Sequence, residues 1–196
     1  MAKRRPPLKI ICLTGGPGAG KTAVADVLKR EFQNQIFVLP ETASLLYSGG
    51  FPRAENPQEL KRVQAAIFHV QHHAEEFAKV RKNRAQILVC DRGTLDCGAY
   101  YPGGVKRFLA DVGSSLRTEL SRYDMVLHME TPNANQGYDF SNPVRNESSK
   151  EALALDHRIQ SVWKNHPSRH VIKSRESFLN KVTEVVELVR NEIHSI

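Results

Sequence analysis

The amino-acid sequence predicts an α/β fold in which a five-stranded parallel sheet is covered by helices on both faces. Two observations lead to this prediction. Short β-rich apolar runs alternate with longer segments of helical periodicity, and a glycine-rich loop joins the first run to the first helical segment. The predicted strands are residues 9–14, 36–39, 86–90, 124–129 and 170–173, and the predicted helices are residues 21–33, 58–82, 105–121, 150–165 and 177–194.

The glycine-rich loop, residues 15–22, reads Gly-Gly-Pro-Gly-Ala-Gly-Lys-Thr and fits the phosphate-loop pattern G-x-x-x-x-G-K-[ST]. It lies between the apolar run 9–14 and an amphipathic segment, which is the strand, loop and helix context that the pattern requires. Its glycines allow backbone N–H groups to surround a phosphate, Lys21 can reach the β- and γ-phosphates, and Thr22 can bind Mg2+. The loop therefore predicts binding of ATP and Mg2+ through Gly15, Pro17, Gly18, Ala19, Gly20, Lys21, Thr22 and Ala23.

Asp91 ends the third apolar run, where a carboxylate can hold Mg2+ beside the phosphates together with Thr22. Motor-type ATPases commonly place a glutamate next, which activates water, whereas this chain has Arg92. This difference disfavours a water-activating motor. Two observations disfavour a nucleic-acid-dependent NTPase. The water-activating glutamate is missing, and the formal net charge of +7 is not concentrated in one segment.

A switch GTPase is disfavoured as well, because the guanine signature Asn-Lys-x-Asp is absent. The nearest match, residues 180–183, ends in threonine and lies in the last predicted helix. Guanine specificity by another route stays open. ATP is thus the predicted nucleotide and GTP the alternative.

Glu41 follows the second predicted strand, so its carboxylate is expected at the same sheet edge as Lys21 and Asp91. There it could accept a proton from a substrate hydroxyl, bind Mg2+ through water, or cap the next helix. Arg92 could clamp a substrate or a transferring phosphoryl group, or form a structural salt bridge to Glu41 or Asp96. We predict catalytic roles for Lys21, Glu41, Asp91 and Arg92.

Two segments, residues 41–57 and 131–149, lack a regular core pattern and contain glycines and prolines. Both are predicted to be mobile functional loops. The second is expected to act as a lid, from which Arg145 could reach the γ-phosphate and neutralise the charge that develops during transfer. Arg145 completes the predicted catalytic set.

Composition and length restrict the class of protein. The 196 residues suit one nucleotide-binding domain, 1–196, with a basic disordered tail, 1–8, for which contact with phospholipid or nucleic acid is a minor alternative. The positive charge suits anionic ligands. Three scattered cysteines, no apolar stretch near the ~20 residues of a membrane span and no signal segment predict a cytoplasmic protein.

Four segments together resemble a known family over nearly the whole chain. They are Gly-Gly-Pro-Gly-Ala-Gly-Lys-Thr at 15–22, Pro-Glu-Thr-Ala at 40–43, Asp-Arg-Gly at 91–93 with Asp96 and Tyr100, and Asn-Pro-Val-Arg-Asn-Glu at 142–147 followed by Leu155-Asp156 and Trp163. The family is that of P-loop kinase-like ATPases with an AAA-type ATP-binding domain, which includes the ribosylnicotinamide kinase domain of NAD-biosynthesis regulators and the TRP-translocation-defect proteins. The layout is also similar to that of deoxynucleoside kinases.

The resemblance implies a nucleoside- or nucleotide-kinase-like fold with a mobile lid, and a kinase that uses ATP and Mg2+. Glu41 would be the base, and Arg92, Gln64 and Phe68 would line the pocket of a nucleoside-like hydroxyl acceptor, although helix packing explains Phe68 equally well. The alternative is an ATP- or GTP-binding regulatory switch that presents a lipid- or protein-binding surface, because family members differ in this respect. No nucleic-acid partner is expected.

Overall fold

The computed structural model describes residues 8–81, 85–132, 149–174 and 177–196. A sheet of five parallel strands runs through the molecule in the spatial order β2-β3-β1-β4-β5. The predicted fold class is confirmed, and each predicted strand end lies within one residue of the observed one. The strands are β1 Lys9–Thr14, β2 Ile36–Leu39, β3 Ile87–Asp91, β4 Met125–Met129 and β5 Arg169–Ile172.

Helices cover both faces of the sheet and connect its strands. A 3₁₀ turn at Gln33–Gln35 leads into β2. The helices are α1 Lys21–Phe32, α2 Thr42–Ser48, α3 Pro57–Val80, α4 Asp96–Tyr100, α5 Gly104–Asp111, α6 Leu116–Leu120, α7 Ser149–Trp163 and α8 Phe178–His194.

The core has two halves, one on each face, because successive side chains of a strand point to opposite sides. In β1, Ile10 and Cys12 pack on the face covered by α3, α4, α5 and α7, whereas Ile11 and Leu13 pack on the face covered by α1 and α8. All four side chains are almost completely buried. A strand with two buried faces reads as a continuous apolar run, which explains why the strands were predictable.

The helix predictions were wrong in three places. The predicted helix 105–121 is two helices, because Gly113 adopts a positive φ of 70° and the Ser115 hydroxyl then caps α6 by accepting from the Thr118 N–H. The predicted loop 41–57 contains α2, whose first residue, Thr42, is buried and hydrogen-bonded to Gln71 of α3. Such a tertiary contact leaves no periodic signal in the sequence. The short helix α4 was also missed.

Leu8 and the three cysteines pack in or against the core. Leu8, which the predicted tail 1–8 included, packs against the core, and residues 1–7 lie outside the described residues. Cys12, Cys90 and Cys97 are buried free thiols. Within the described part of the chain, no helix combines the length and the hydropathy that crossing a bilayer requires.

Gly93 lies where the core leaves no room for a side chain. A Cβ there would lie 2.7 Å from Cys12 Sγ and 2.7 Å from Trp163 Cζ2. We predict that Gly93→Ala lowers the free energy of unfolding by about 1–3 kcal/mol, the usual cost of overpacking. Gly49→Ala should cost less, because its Cβ would come no closer than 3.3 Å to a neighbouring atom. Urea unfolding of both variants measures the difference, and equal stabilities would contradict it.

Candidate active site

A cavity of about 550 Å³ opens at the carboxyl ends of β1, β2 and β3. Ligands collect at this edge of an open parallel sheet. Among the predicted site residues that line the cavity are Pro17, Gly18, Gly20, Lys21, Thr22, Ala23, Glu41, Gln64 and Arg92. Gly15, Ala19, Phe68 and Asp91 are not part of the lining. Arg145 lies outside the described residues.

The phosphate loop is shaped by close backbone approaches that only glycine permits. Gly15 has a φ of 135°, and a Cβ there would lie 2.1 Å from the carbonyl oxygen of Met129 at the end of β4. Gly20 adopts a left-handed φ of 90° and precedes α1, whose first turn receives no side-chain cap and contains no acidic residue. The amino end of α1 therefore keeps its N–H groups available for an anion.

Lys21 is held inside the loop by two carbonyl oxygens. Its Nζ donates to the oxygen of Gly15 at 2.9 Å and to the oxygen of Gly16 at 2.8 Å. Burial, together with the nearby positive charge of Arg92, lowers the pKa of Lys21 to about 8. The ammonium group therefore lacks a full counter-charge, which the phosphates of a nucleotide would supply.

Thr22 and Asp91, which the sequence assigns to one Mg2+ site, lie side by side. The Thr22 hydroxyl donates to Asp91 Oδ2 at 2.7 Å, and Asp91 Oδ1 is buried without a hydrogen-bond partner among the described residues. Burial raises the pKa of Asp91, which means that the carboxylate is poorly compensated where it stands. Oxygen ligands of this kind are what Mg2+ prefers, so the pair fits this cation.

Glu41 lies at the carboxyl end of β2 and binds two side chains. Its Oε1 accepts from Arg92 Nε at 2.5 Å, and its Oε2 accepts from the Ser44 hydroxyl at 2.5 Å. Although burial alone would raise the pKa of Glu41, the Arg92 charge and the Ser44 hydrogen bond lower it to about 2. Glu41 precedes α2, but its carboxylate makes no capping bond to a backbone N–H. It is thus an ionised acceptor that faces the cavity.

Arg92 forms both of the salt bridges considered from the sequence while it lines the cavity. Its Nε binds Glu41. Its Nη1 contacts Asp96 Oδ2 at 3.3 Å and the carbonyl oxygen of Gly15 at 3.2 Å. The guanidinium also lies 5.6 Å from the centre of the Tyr100 ring. Arg92 has a positive φ of 80°, which is rare for a residue with a side chain. It links the phosphate loop to β2 and α4.

Asp96, which the sequence analysis named as a possible partner of Arg92 and as part of the family resemblance, is buried and connects several elements. Its Oδ1 accepts from the Thr14 hydroxyl at 2.7 Å and from Trp163 Nε1 at 2.6 Å. Trp163 is fully buried, and its indole N–H finds an acceptor in this carboxylate. Asp96 therefore connects the end of β1 to α4 and α7.

The structure separates the two residues that were assigned to the acceptor pocket on helix α3. Gln64 lines the cavity and is buried. Phe68 instead packs in the core, where its ring meets the Phe108 ring edge to face at a centroid distance of 5.4 Å. At this position the ring buries its apolar surface against α5.

Asp156 of α7 has a role in the loop that the sequence analysis missed. Its Oδ1 accepts from the backbone N–H of Gly16 at 2.7 Å and lies 3.0 Å from His128 Nε2, and both side chains are buried. Because the contact joins residues 140 positions apart, no local pattern could have predicted it. The bond fixes the first half of the phosphate loop to α7.

Comparison with known proteins places this geometry in a family. A family model described as an AAA domain matches residues 10–181. No individually curated protein sequence matches the chain.

Solved structures share the fold at low sequence identity. Deoxyadenosine kinase from M. mycoides with bound dATP superimposes with a TM-score of 0.60 at 12% identity, over 93% of this chain and 99% of that one. Thymidylate kinase from Ehrlichia chaffeensis gives 0.57 at 16% identity, over 96% and 100%. Shikimate kinase from Acinetobacter baumannii in complex with shikimate gives 0.56 at 13% identity, over 96% and 94%. The chain thus has a P-loop kinase-like fold.

The lowered pKa of Lys21 predicts that nucleotide affinity depends on pH. Phosphate beside the ammonium raises its pKa, so binding above pH 8 takes up a proton and the affinity falls as the pH rises through about 8. Titration calorimetry at about pH 8.5 in two buffers of different ionisation enthalpy measures the uptake. Lys21→Met should abolish the uptake and weaken binding. An affinity that stays constant between about pH 7 and 9 would contradict this assignment.

The poorly compensated carboxylate of Asp91 predicts a specific metal defect. Asp91→Asn should raise the Mg2+ concentration that nucleotide binding requires by about tenfold or more, because an amide attracts the cation less than a carboxylate does. The readout is a Mg2+ titration at fixed nucleotide concentration. Asp111→Asn, at a residue paired with Arg107 outside the cavity, serves as the control. Identical Mg2+ dependence in the Asp91 and Asp111 variants would remove Asp91 from the site.

Proposed function

Because the chain belongs to the AAA-domain family and has a P-loop kinase-like fold, we propose that it binds ATP with Mg2+ and transfers the γ-phosphoryl group to a small hydroxyl-bearing, nucleoside-like metabolite. The observation that carries this proposal is the position of Glu41. An ionised carboxylate faces the same cavity as Lys21 and the phosphate loop, and the cavity extends beyond them along α2 and α3. That extension provides room for an acceptor beside the nucleotide.

In the proposed reaction, the loop amides and Lys21 hold the β- and γ-phosphates. Thr22 and Asp91 would hold Mg2+, which neutralises phosphate charge when it is bound. The acceptor hydroxyl oxygen forms a bond to the γ-phosphorus while the bond from that phosphorus to the β–γ bridging oxygen breaks, and ADP leaves.

Glu41 receives the hydroxyl proton in this scheme. With a pKa of about 2 it is ionised at neutral pH, so it accepts a hydrogen bond from the hydroxyl and takes the proton only as the bond to phosphorus forms. Arg92 holds the carboxylate in place through Nε.

We also propose that residues 1–196 form one domain, and that the segment 131–149 is a lid that brings Arg145 to the transferring group.

A second candidate is a nucleotide-dependent switch that presents a surface to lipid or protein. It is favoured by the end of α3, where Phe77 and Val80 are 60% and 77% exposed and Lys79 and Arg81 are their neighbours. Apolar and basic side chains in such proximity suit an anionic membrane. Absence of any phosphorylated product, combined with nucleotide-dependent binding to anionic vesicles, would favour this candidate.

The role of Glu41 separates the two candidates. Once a metabolite pool incubated with γ-labelled ATP has yielded an acceptor, Glu41→Gln should cut single-turnover transfer by roughly 10²–10⁴ and leave ATP affinity within about threefold. Glu31→Gln is the control, because Glu31 is an exposed glutamate of α1 that pairs with Arg190. Full-rate transfer by Glu41→Gln would overturn the base assignment. A change in ATP affinity and thermal stability without a selective loss of rate would instead indicate a structural role.

A further inference from the structure

The helical side of the cavity has a distinct composition. We call the lining residues Tyr47, Arg53, Leu60, Gln64 and Ile67, which come from α2, α3 and the segment between them, the acceptor wall. Leu60 and Ile67 are apolar, and Tyr47 offers an aromatic ring. Arg53 is the charged member of the wall.

The positive charge of Arg53 is not neutralised by the protein around it. In the described part of the chain, no carboxylate forms an ion pair with Arg53, whereas Arg92 in the same cavity contacts both Glu41 and Asp96. The Arg53 guanidinium carbon lies 4.4 Å from the centre of the Tyr47 ring. Stacking occupies a face of the guanidinium and orients it, and the N–H donors around its edge stay available for two acceptor oxygens.

Gln64 is a second polar group on the acceptor wall. Its side chain is only 6% exposed, and it forms no hydrogen bond with any described residue. Its amide atoms are not among the buried atoms that lack a partner, so they are open to the cavity, where a ligand can hydrogen-bond to them. Gln71, two helical turns further along α3, differs in this respect because it bonds to Thr42 and Glu75.

We propose that the acceptor carries an anionic group, a phosphate or a carboxylate, which Arg53 binds edge-on while stacked on Tyr47, and that Gln64 binds a polar group of the same molecule. The phosphate loop and Lys21 bind the nucleotide in the proposed function, so the Arg53 guanidinium on the acceptor wall is available for the second ligand. The inference that this ligand also carries a reacting hydroxyl rests on the proposed kinase function. Anion binding itself does not depend on turnover.

A binding experiment tests the anion site without any reaction. With the nucleotide site saturated by a non-hydrolysable ATP analogue and Mg2+, calorimetry measures the affinity of phenyl phosphate, benzoate and benzyl alcohol. We expect at least one of the two anions to bind and Arg53→Ala to weaken it by about tenfold or more. The affinity for the ATP analogue should stay within about threefold of the wild-type value.

Variants separate charge recognition from a merely structural role. Arg53→Lys keeps the charge and should retain part of the anion affinity, and Gln64→Leu should weaken the same ligand. Arg107→Ala is the matched control, because Arg107 is an exposed arginine that pairs with Asp111 outside the cavity. If Arg53 only holds its segment against Tyr47, Arg53→Ala lowers the melting temperature without changing the preference for anions, and the proposal is overturned.

A turnover experiment identifies the anionic group. A metabolite extract is split on an anion-exchange column, and each fraction is incubated with γ-labelled ATP and the enzyme. Acceptor activity should elute with the retained fraction. Its loss after phosphatase treatment of that fraction identifies a phosphate, and its survival identifies a carboxylate.

The outcomes distinguish the anion site from the kinase function. Acceptor activity confined to the unretained, neutral fraction overturns the proposal and leaves the kinase function intact. Failure of both anions to bind the wild-type protein, or equal binding by Arg53→Ala, also overturns it. Arg53-dependent anion binding without product in any fraction supports the anion site and contradicts the proposed function.

Discussion

The buried carboxylate of Asp96 holds together the elements on which the cavity depends. It accepts hydrogen bonds from Thr14 at the end of β1 and from Trp163 in α7, and it forms an ion pair with Arg92. Because Arg92 in turn binds Glu41, the ends of three strands and two helices are joined through one carboxylate. A buried carboxylate is tolerated only with such partners, so the cavity and the packing around Trp163 form one network.

The charges of the site are poorly compensated in the protein alone. Burial lowers the pKa of Lys21 and raises that of Asp91, which means that each is less stable in its charged form than in water. A nucleotide and a cation would supply the missing partners, and a ligand that binds only the folded state also stabilises it. Glu41 differs, because Arg92 and Ser44 already satisfy its carboxylate. The site therefore combines Glu41, a hydrogen-bond acceptor that the protein already holds in place, with Lys21 and Asp91, whose charges a bound ligand would compensate.

Local patterns were enough to predict the strands and the sheet edge at which the phosphate loop and Asp91 lie. These features depend on apolar runs, on glycine spacing and on the rule that parallel strands end at one edge. The short helices α2 and α4 and the bond from Gly16 to Asp156 could not be predicted, since they depend on contacts between distant segments. Phe68 shows the same limit: its helix position was clear, but its packing against α5 was not.

The positive φ of Arg92 is unfavourable for the backbone, whereas the contacts of its side chain belong to the site. Glycine adopts such a φ freely, whereas for a residue with a side chain this backbone conformation costs about 1–3 kcal/mol of folding free energy. Glycine at this turn would relieve the backbone, but it would also remove the guanidinium that binds Glu41 and Asp96 and leave these carboxylates without their cation. Directed evolution for heat resistance would therefore gain little from glycine at this position, because the loss of two ion pairs offsets the relief of the backbone.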